Sequence, residues 1–308
     1  MTFLQIRNPN VFPYQKYMET DKAGYLIRQY FLHNLYDRIG YWNFLFAWQL
    51  DISNFYLAIY RTRPFLTNIE KKWIAFQGLN ALKQAHCYGI CHGDIKCENI
   101  MITSWNWLYL TDFACYKPTF IPEDDPLDFT FFFDTSERAT CYLAPERFYS
   151  SSTHKEPPEG ELTPAMDVFS LGYSLPPLPR PLPHSECVCL TFFSPLSKSC
   201  CIAELFLEGV SDPLFSLSQL HKYRKGEYDP TPIIEKIKDE PVQSLIKHMI
   251  QKEPIKRYTA PKYLSDWLDP FYMHIVHQIT INHHHWSGPR AYSPAISNFY
   301  TRIWQSWC

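Results

Sequence analysis

The chain has 308 residues, of which 46% are hydrophobic and 17% aromatic, so it can bury a core in one large domain or two smaller ones. The formal net charge of -2 gives no broad basic field, which argues against nucleic acid as a partner. The first residues lack the basic region and apolar core of a secretory signal, so the ten cysteines are expected to be reduced thiols.

Some segments superficially suggest a metal site or a membrane span. CVC at 187–189 and CC at 200–201 lack the paired CxxC spacing of a zinc site, and HHH at 283–285 is interpreted as a solvated loop. The segment YWNFLFAWQLDISNFYLAIY at 41–60 has the length of a membrane span. It contains Asp51 and several amide side chains that are costly in hydrocarbon, so we predict no transmembrane span.

In chain order, the first well-marked element is a helix from Ile69 to His86. Apolar residues recur there at steps of three and four, which predicts a single buried stripe. Gly89 follows as the helix stop. The residues expected on the stripe are Ile69, Trp73, Phe76, Leu79 and Leu82.

A polar loop and a short hairpin come next. The loop is HGDIKCEN at 92–99, and the strands are predicted at 100–102 and 108–111, with SWNW as the turn. The hairpin brings DFA, at 112–114, back beside the loop. The predicted order is therefore helix, loop, hairpin and acidic tripeptide.

This order supplies the groups that phosphoryl transfer needs. An Asp can accept the proton of an attacking hydroxyl, and a Lys can neutralise charge on the transferred group. An amide oxygen and a second carboxylate can hold Mg²⁺. Asp94, Lys96, Asn99 and Asp112 provide these four groups. The alternative interpretation is loop capping, because Asp and Asn often satisfy turn backbone.

Five motifs, in order, resemble the protein kinase superfamily. HGDIKCEN resembles the catalytic loop H-R-D-x-K-x-x-N, and DFA resembles D-F-G. APE stands at 144–146, DVFSLG at 167–172 resembles D-x-W-S-x-G, and EPIKRYTA at 253–260 resembles the late P-x-x-R segment. Lys96, two residues after Asp94, is typical of the serine/threonine type.

A closer resemblance is to the regulatory protein-kinase subunit of the class III phosphatidylinositol 3-kinase complex. It rests on NLYDRI, RPFL–NIEKKWIAFQ, HGDIK–EN, TSWNW, LTDFA, FFFDTS and CYLAPERF. The resemblance implies the lipid kinase catalytic subunit and a beclin-like subunit as partners, in autophagy and endosomal sorting. It also implies a cytoplasmic protein at the edge of endosomal or autophagosomal membranes, held there through its partners.

The resemblance assigns catalytic and cofactor roles residue by residue. Asp94 would be the catalytic base, and Lys96 would contact the γ-phosphate of ATP. Asn99 and Asp112 would bind the cofactor by holding Mg²⁺. Cys97, within the same loop, is interpreted as a spacer.

Four further residues would be structural. His92 would brace the catalytic loop, and Asp167 would hydrogen-bond its backbone. Glu146 and Arg257 would form a buried ion pair.

The chain also departs from the kinase pattern. Gly93 stands where kinases often have an Arg that clamps a phosphorylated activation loop, so control by that route is not expected. Ala114 stands where the D-F-G motif has a Gly, so this position loses the backbone freedom of glycine. The ten glycines form no G-x-G pair, and no upstream Lys lies in a V-A-I-K pattern. The chain is thus expected to begin after the αC position.

The expected fold is α+β and kinase-like, mainly the helical C-lobe with a small β-hairpin and a largely missing N-lobe. An N-lobe or hinge remnant is predicted at 1–40, followed by an insert at 41–61. The C-lobe occupies 62–172 and 201–270, split by a Pro-rich insert at 173–200, with an unmatched tail at 271–308. The second insert is open to three interpretations: a translated intron, a surface loop, or a polyproline partner motif at 176–183.

Three hypotheses about function follow. The first is an ATP-dependent serine/threonine kinase. The second is a catalytically inactive kinase-like scaffold that binds a lipid kinase partner, and the third is a non-functional fragment of a larger gene. Because the glycine loop and strand lysine are not found, this chain alone is expected to be inactive.

Overall fold

The computed structural model describes eight stretches of the chain, which are residues 8–35, 66–103, 106–114, 116–134, 140–150, 156–172, 202–206 and 214–268. The chain divides into two compact units, Met1–Leu268 and Asp269–Cys308, and every described residue lies in the first unit. Both predicted inserts, the tail, the aromatic segment at 41–60 and the CVC, CC and HHH clusters lie outside the described residues.

The described residues form short strands and mostly short helices. The strands are β1 (Lys16–Glu19), β2 (Gly24–Ile27), β3 (Ile100–Ile102), β4 (Leu108–Leu110), β5 (Ile121–Pro122) and β6 (Phe148–Tyr149). The helices are α1 (Asn68–His86), α2 (Pro126–Phe132), α3 (Pro164–Gly172), α4 (Ile202–Phe206), α5 (Leu217–Lys225), α6 (Thr231–Ile234), α7 (Glu240–Met249) and α8 (Ala260–Tyr263). Three 3₁₀ turns (Cys97–Asn99, Pro145–Arg147 and Pro254–Lys256) and a π-helical turn (Leu264–Leu268) complete the list. The predicted α+β class is confirmed.

Helix α1 is the centre of the core. Thr67 caps its first turn by accepting from the Glu70 N–H at 3.2 Å, while Glu70 accepts from the Thr67 N–H at 2.9 Å. The helix packs against β4, α3, α4 and α8. The predicted single stripe was therefore wrong. Ile74 and Ala81 are as buried as Leu79, whereas Trp73 is only half-buried, because a central helix contacts neighbours on most sides.

The β3–β4 hairpin lies where the sequence predicted it, with Ile100 opposite Leu110. The segment 8–35 contacts both of its edges. Val11 bridges Leu110 in parallel, and Asn34 bridges Met101 antiparallel. The segment 8–35 thus contacts both strands of the hairpin that precedes Asp112.

A buried polar network joins that segment to α1. Asn10 Oδ1 accepts from Asn80 Nδ2 at 2.7 Å, and its Nδ2 donates to the Leu108 carbonyl at 2.9 Å. The Asn10 N–H donates to Gln84 Oε1 at 3.0 Å. Satisfied networks of this kind fix one register, because an unpaired buried polar group is costly.

The β1–β2 hairpin is antiparallel and exposed along its whole length. The prediction that most of an N-lobe is missing stays a prediction.

The β5 and β6 strands pair in parallel. Among the described residues, no helix is long and apolar enough to span a bilayer.

Helices α3 and α4 pack against each other and against α1. Val168 is fully buried, and Ile202 and Leu205 are 2% and 1% exposed. The segment after the Pro-rich stretch therefore enters the core as a separate short helix.

Candidate functional site

The catalytic-loop motif connects α1 to β3, and His92 is buried at its start. The His92 Nε2–H donates to the Thr111 carbonyl at 2.7 Å, and Nδ1 accepts from the Asp94 N–H at 3.2 Å. Burial lowers the pKa of His92. A neutral imidazole, with one donor and one acceptor, is the form that makes both bonds.

Asp167, from the first turn of α3, holds the backbone of this loop. Its Oδ2 accepts from the His92 N–H at 2.7 Å, and its Oδ1 accepts from the Gly93 N–H at 2.9 Å. His86 Nε2 lies 2.9 Å from Oδ2. Burial by itself would raise the pKa of Asp167, but the hydrogen bonds from His86 and Gly93 help to lower it overall. The carboxylate is therefore ionised and fixes the turn that presents Asp94.

The structure brings Asp94 and Asn99 together. Asn99 Nδ2 donates to the Asp94 carbonyl at 2.8 Å and lies 3.2 Å from Asp94 Oδ2. The Thr111 N–H donates to the Asn99 carbonyl at 3.0 Å, which ties the loop to the residue preceding Asp112. Asn99 Oδ1 makes none of these bonds, so an amide oxygen remains to serve as a ligand.

Two lysines converge on the Asp94 carboxylate. Lys96 Nζ lies 3.6 Å from Oδ2, and Lys117 Nζ lies 2.7 Å from the same oxygen. All three side chains are largely buried, and Lys96 Nζ also donates to the Phe133 carbonyl at 3.4 Å. Lys117 was not predicted from the sequence as a site residue.

Asp112 lies at the end of the hairpin with a φ of 60°. Its Oδ2 is 3.1 Å from Arg28 Nη2, and Arg28 also donates to Thr111 Oγ1. The Asp112 side chain is 43% exposed, so this carboxylate lies at the surface of the site. The His92 ring is bonded to the Asp94 N–H and to the carbonyl of Thr111, the residue before Asp112.

The structure also pairs Glu146 with Arg257. Nη1 to Oε1 is 2.6 Å and Nη2 to Oε2 is 2.9 Å, a two-pronged pair with a fully buried arginine. Arg257 additionally donates to the carbonyls of Gln251, Ala165 and Lys252.

Three basic residues at the site were missed from the sequence: Arg28, Lys117 and Arg147. Arg147 directly follows Ala144–Pro145–Glu146, and its guanidinium donates to the Gly93 carbonyl at 2.7 Å. Its position beside APE was the only available signal. Nothing local distinguishes Arg28 or Lys117 from a surface cation.

Three of the described cysteines, Cys91, Cys97 and Cys141, do not suggest reactive thiols. Cys97 is fully buried, and burial raises the pKa of Cys91 and of Cys141 to about 12. Cys91 lies near His86 and Asp167, close enough for the three to be considered as metal ligands. The Asp167 oxygens already accept two hydrogen bonds that hold the loop and lie beside His86 Nε2, so the cluster is explained without a metal.

Comparisons with known proteins agree with the motif order. A model of the protein kinase domain matches residues 2–268. The chain is similar to "Probable serine/threonine-protein kinase vps15" of Dictyostelium discoideum, 50% identical over 272 residues that cover 87% of this chain and 11% of that protein.

Two further relatives carry similar names. "Serine/threonine-protein kinase VPS15" of Arabidopsis thaliana is 46% identical over 267 residues, covering 86% of this chain and 14% of that protein. Its namesake in Saccharomyces cerevisiae is 41% identical over 268 residues, covering 86% and 15%. The chain thus spans only 11% to 15% of the length of these relatives. The resemblance predicted from the motifs is confirmed, and the chain belongs to the protein kinase family.

Proposed function

We propose that this chain is the kinase-like part of a regulatory subunit of a class III phosphatidylinositol 3-kinase complex. Support comes from its similarity to proteins named VPS15 over 86% to 87% of its length. The lipid kinase catalytic subunit and a beclin-like subunit would be its partners in autophagy and endosomal sorting. It would be cytoplasmic and reach endosomal or autophagosomal membranes through those partners.

We further propose that Asp94, Lys96, Asn99 and Asp112 form an ATP-dependent serine/threonine phosphotransfer site. The observation that carries this proposal is the Asn99 amide clamped on Asp94, 2.8 Å from its carbonyl, on a loop hydrogen-bonded to the Thr111 backbone. The donor set suits Mg²⁺, because the Asn99 amide oxygen and the Asp112 carboxylate are hard ligands. Bound Mg²⁺-ATP would supply the phosphoryl group.

The remaining steps belong to the chain's own residues. Asp94 would orient the substrate hydroxyl and accept its proton. Lys96, next to that carboxylate, would neutralise charge on the transferred group. His92 and Asp167 would keep the loop in shape through its backbone.

A second candidate function is a scaffold that transfers nothing. It is favoured by the cations on the two acids, because Lys117 lies 2.7 Å from Asp94 and Arg28 lies 3.1 Å from Asp112. A carboxylate that already holds an ammonium is a poorer acceptor for a substrate proton. A carboxylate paired with a guanidinium must release it to hold Mg²⁺.

Co-expression with the class III catalytic subunit and a beclin-like subunit tests both candidates. The chain and its isosteric Asp94→Asn variant are each purified through the lipid kinase, and phosphotransfer from Mg²⁺-ATP is then measured. A complex whose phosphotransfer is lost in Asp94→Asn supports the kinase, and a complex with equal background in both supports the scaffold. If neither chain copurifies with the lipid kinase, the proposal of a regulatory subunit is wrong.

A further inference from the structure

Arg147 is a buried cation whose hydrogen bonds go to backbone oxygens. It is 2% exposed and ends the 3₁₀ turn Pro145–Arg147. Nη1 donates to the Gly93 carbonyl at 2.7 Å, Nη2 to the Pro118 carbonyl at 2.9 Å and Nε to the Thr119 carbonyl at 2.8 Å. Burial lowers its pKa to about 10, so it remains charged at neutral pH.

These three carbonyls belong to two different segments. Gly93 lies in the catalytic loop, whereas Pro118 and Thr119 follow the DFA tripeptide. The planar guanidinium fork can bond several oxygens at once in a fixed geometry. One side chain therefore joins the catalytic loop to the segment that carries Lys117.

The peptides on either side of Gly93 are both held. The Gly93 N–H donates to Asp167 at 2.9 Å, and the Gly93 carbonyl accepts from Arg147 at 2.7 Å. The Gly93 carbonyl belongs to the peptide bond with Asp94. Together the two bonds determine the backbone from which the Asp94 side chain projects.

Phe133 contacts the three cations of the site, which are Lys96, Lys117 and Arg147. The Arg147 guanidinium lies 4.9 Å from the centre of this ring, and Lys117 Nζ lies 5.1 Å from it. Lys96 Nζ donates to the Phe133 carbonyl. Three cations thus converge on Phe133, and two of them, Lys96 and Lys117, also pair with Asp94.

A side chain at Gly93 would have to displace Leu162. Its φ is +78°, and a Cβ there would lie 2.6 Å from Leu162 Cδ1. Kinases often have an arginine at the position of Gly93. In this chain the positive charge that joins the catalytic loop to the segment after DFA is on Arg147. Arginine clusters often bind the phosphate group of a phosphorylated residue. The Arg147 guanidinium binds backbone carbonyls, so it can join the two segments without a phosphate group.

We propose that Arg147 is a positioning residue, which fixes residues 117–119 against the catalytic loop and so keeps the Lys117 ammonium on the Asp94 carboxylate without any phosphorylation. This deepens the proposed function, because it rests on Asp94 as the base of that site. Arg147 acts through Lys117, whose ammonium lies on the Asp94 oxygen that the proposed base would offer to a substrate hydroxyl.

The reactivity of Lys117 tests the proposal without nucleotide or substrate. The phosphatase-treated chain is acylated with acetic anhydride, and the rate at each lysine is read by mass spectrometry. An ammonium held by a carboxylate reacts slowly. We expect Asp94→Asn and Arg147→Met each to accelerate acylation of Lys117 by roughly five- to thirtyfold, the factor that about 1–2 kcal/mol makes in an equilibrium. Arg147→Lys, which keeps the charge but not the fork, should fall between wild type and Arg147→Met.

Arg224→Met is the matched control. Arg224 joins Glu123 to the Phe148 carbonyl but does not contact Gly93, so its loss should leave Lys117 as slow as in wild type. Unchanged Lys117 reactivity in Arg147→Met would overturn the proposal, as would equal acceleration in Arg224→Met. If Arg147→Met does not fold, Arg147→Lys decides by the same criteria. The result does not depend on phosphotransfer or on complex formation, so failure of either proposal is recognised separately.

Discussion

Arg257 and Glu146 form a two-pronged ion pair across 111 residues of sequence, with N–O distances of 2.6 and 2.9 Å. The arginine side chain is fully buried and the glutamate is 19% exposed. The pair connects the 3₁₀ turn at Pro145–Arg147 to the one at Pro254–Lys256. It therefore holds the Ala144–Pro145–Glu146 segment against the segment that follows α7.

Removing the arginine from this pair should destabilise the fold strongly. Arg257→Met leaves the Glu146 carboxylate without its partner, and breaking a buried pair costs about 3–5 kcal/mol. Urea unfolding of both proteins measures the loss. Lys247→Met is the control, because the Lys247–Glu235 pair is exposed and should change stability by no more than about 0.5 kcal/mol. Equal losses in the two variants would contradict this interpretation.

Gly93→Ala should be more harmful than the same change at Gly226. Both glycines have a φ near +80°, at +78° and +81°, so both variants carry backbone strain of about 1 kcal/mol. At Gly226 the nearest atom to an added Cβ is Lys252 Nζ at 3.7 Å, whereas at Gly93 it is Leu162 Cδ1 at 2.6 Å. We expect Gly93→Ala to cost roughly 1–3 kcal/mol more, the range for overpacking.

Thermal unfolding of the two variants gives the comparison. Adding Leu162→Ala to Gly93→Ala should recover part of the loss, because it removes the clashing methyl group. Equal midpoints for Gly93→Ala and Gly226→Ala would mean that Leu162 moves aside without cost.

Buried His92 should make the folded chain sensitive to acid. Burial lowers its pKa below the ordinary value of about 6.5, although Asp167, the Thr111 hydrogen bond, Asp94 and Asp112 raise it in part. The unfolded chain therefore binds the proton more readily, and the free energy of unfolding rises with pH in the range below about 6.5. We expect lower stability at about pH 5.5 than at about pH 7.5 in urea unfolding.

His92→Gln isolates this contribution, because glutamine has a donor and an acceptor but no titrating proton. Its stability should change less between the two pH values. Some dependence remains, since burial also lowers the pKa of His221 and of His248. An identical pH dependence in wild type and His92→Gln would exclude His92 as the source.

Residues 173–200 lie outside the described part of the chain, and their removal tests whether they belong to the fold. α3 ends at Gly172 and α4 begins at Ile202, and both helices are buried against α1. Closing a loop of this length costs only a few kcal/mol. We expect a variant lacking 173–200 to be more soluble and to melt higher, because α3 can then continue into α4. An equal or higher midpoint with the segment retained would make it an evolved part of the fold.

Elements with a local pattern could be predicted from the sequence. The helix ending at His86 has regular apolar spacing, and the β3–β4 hairpin follows directly from its two short apolar runs. The polar contacts of Asn10 could not be predicted, because its partners Gln77, Asn80 and Gln84 lie 67 to 74 residues away. A single asparagine carries no signal of such distant neighbours.

Some residues of the candidate site could likewise be predicted from the sequence, and others could not. Asp94 and Asn99 belong to one ordered motif, so their proximity was predictable. Lys117 lies on Asp94 in a segment that Arg147 and Phe133 contact, and these contacts depend on the tertiary structure. Their effect on the Asp94 carboxylate therefore has no signal in the sequence.

The most direct measurement is phosphotransfer by the purified 308-residue chain with Mg²⁺-ATP, compared with its Asp94→Asn variant. We predict equal background rates, because the sequence has no G-x-G pair and no upstream lysine in a V-A-I-K pattern, and Lys117 lies 2.7 Å from the Asp94 carboxylate. Phosphotransfer by the wild-type chain that Asp94→Asn abolishes would contradict the account.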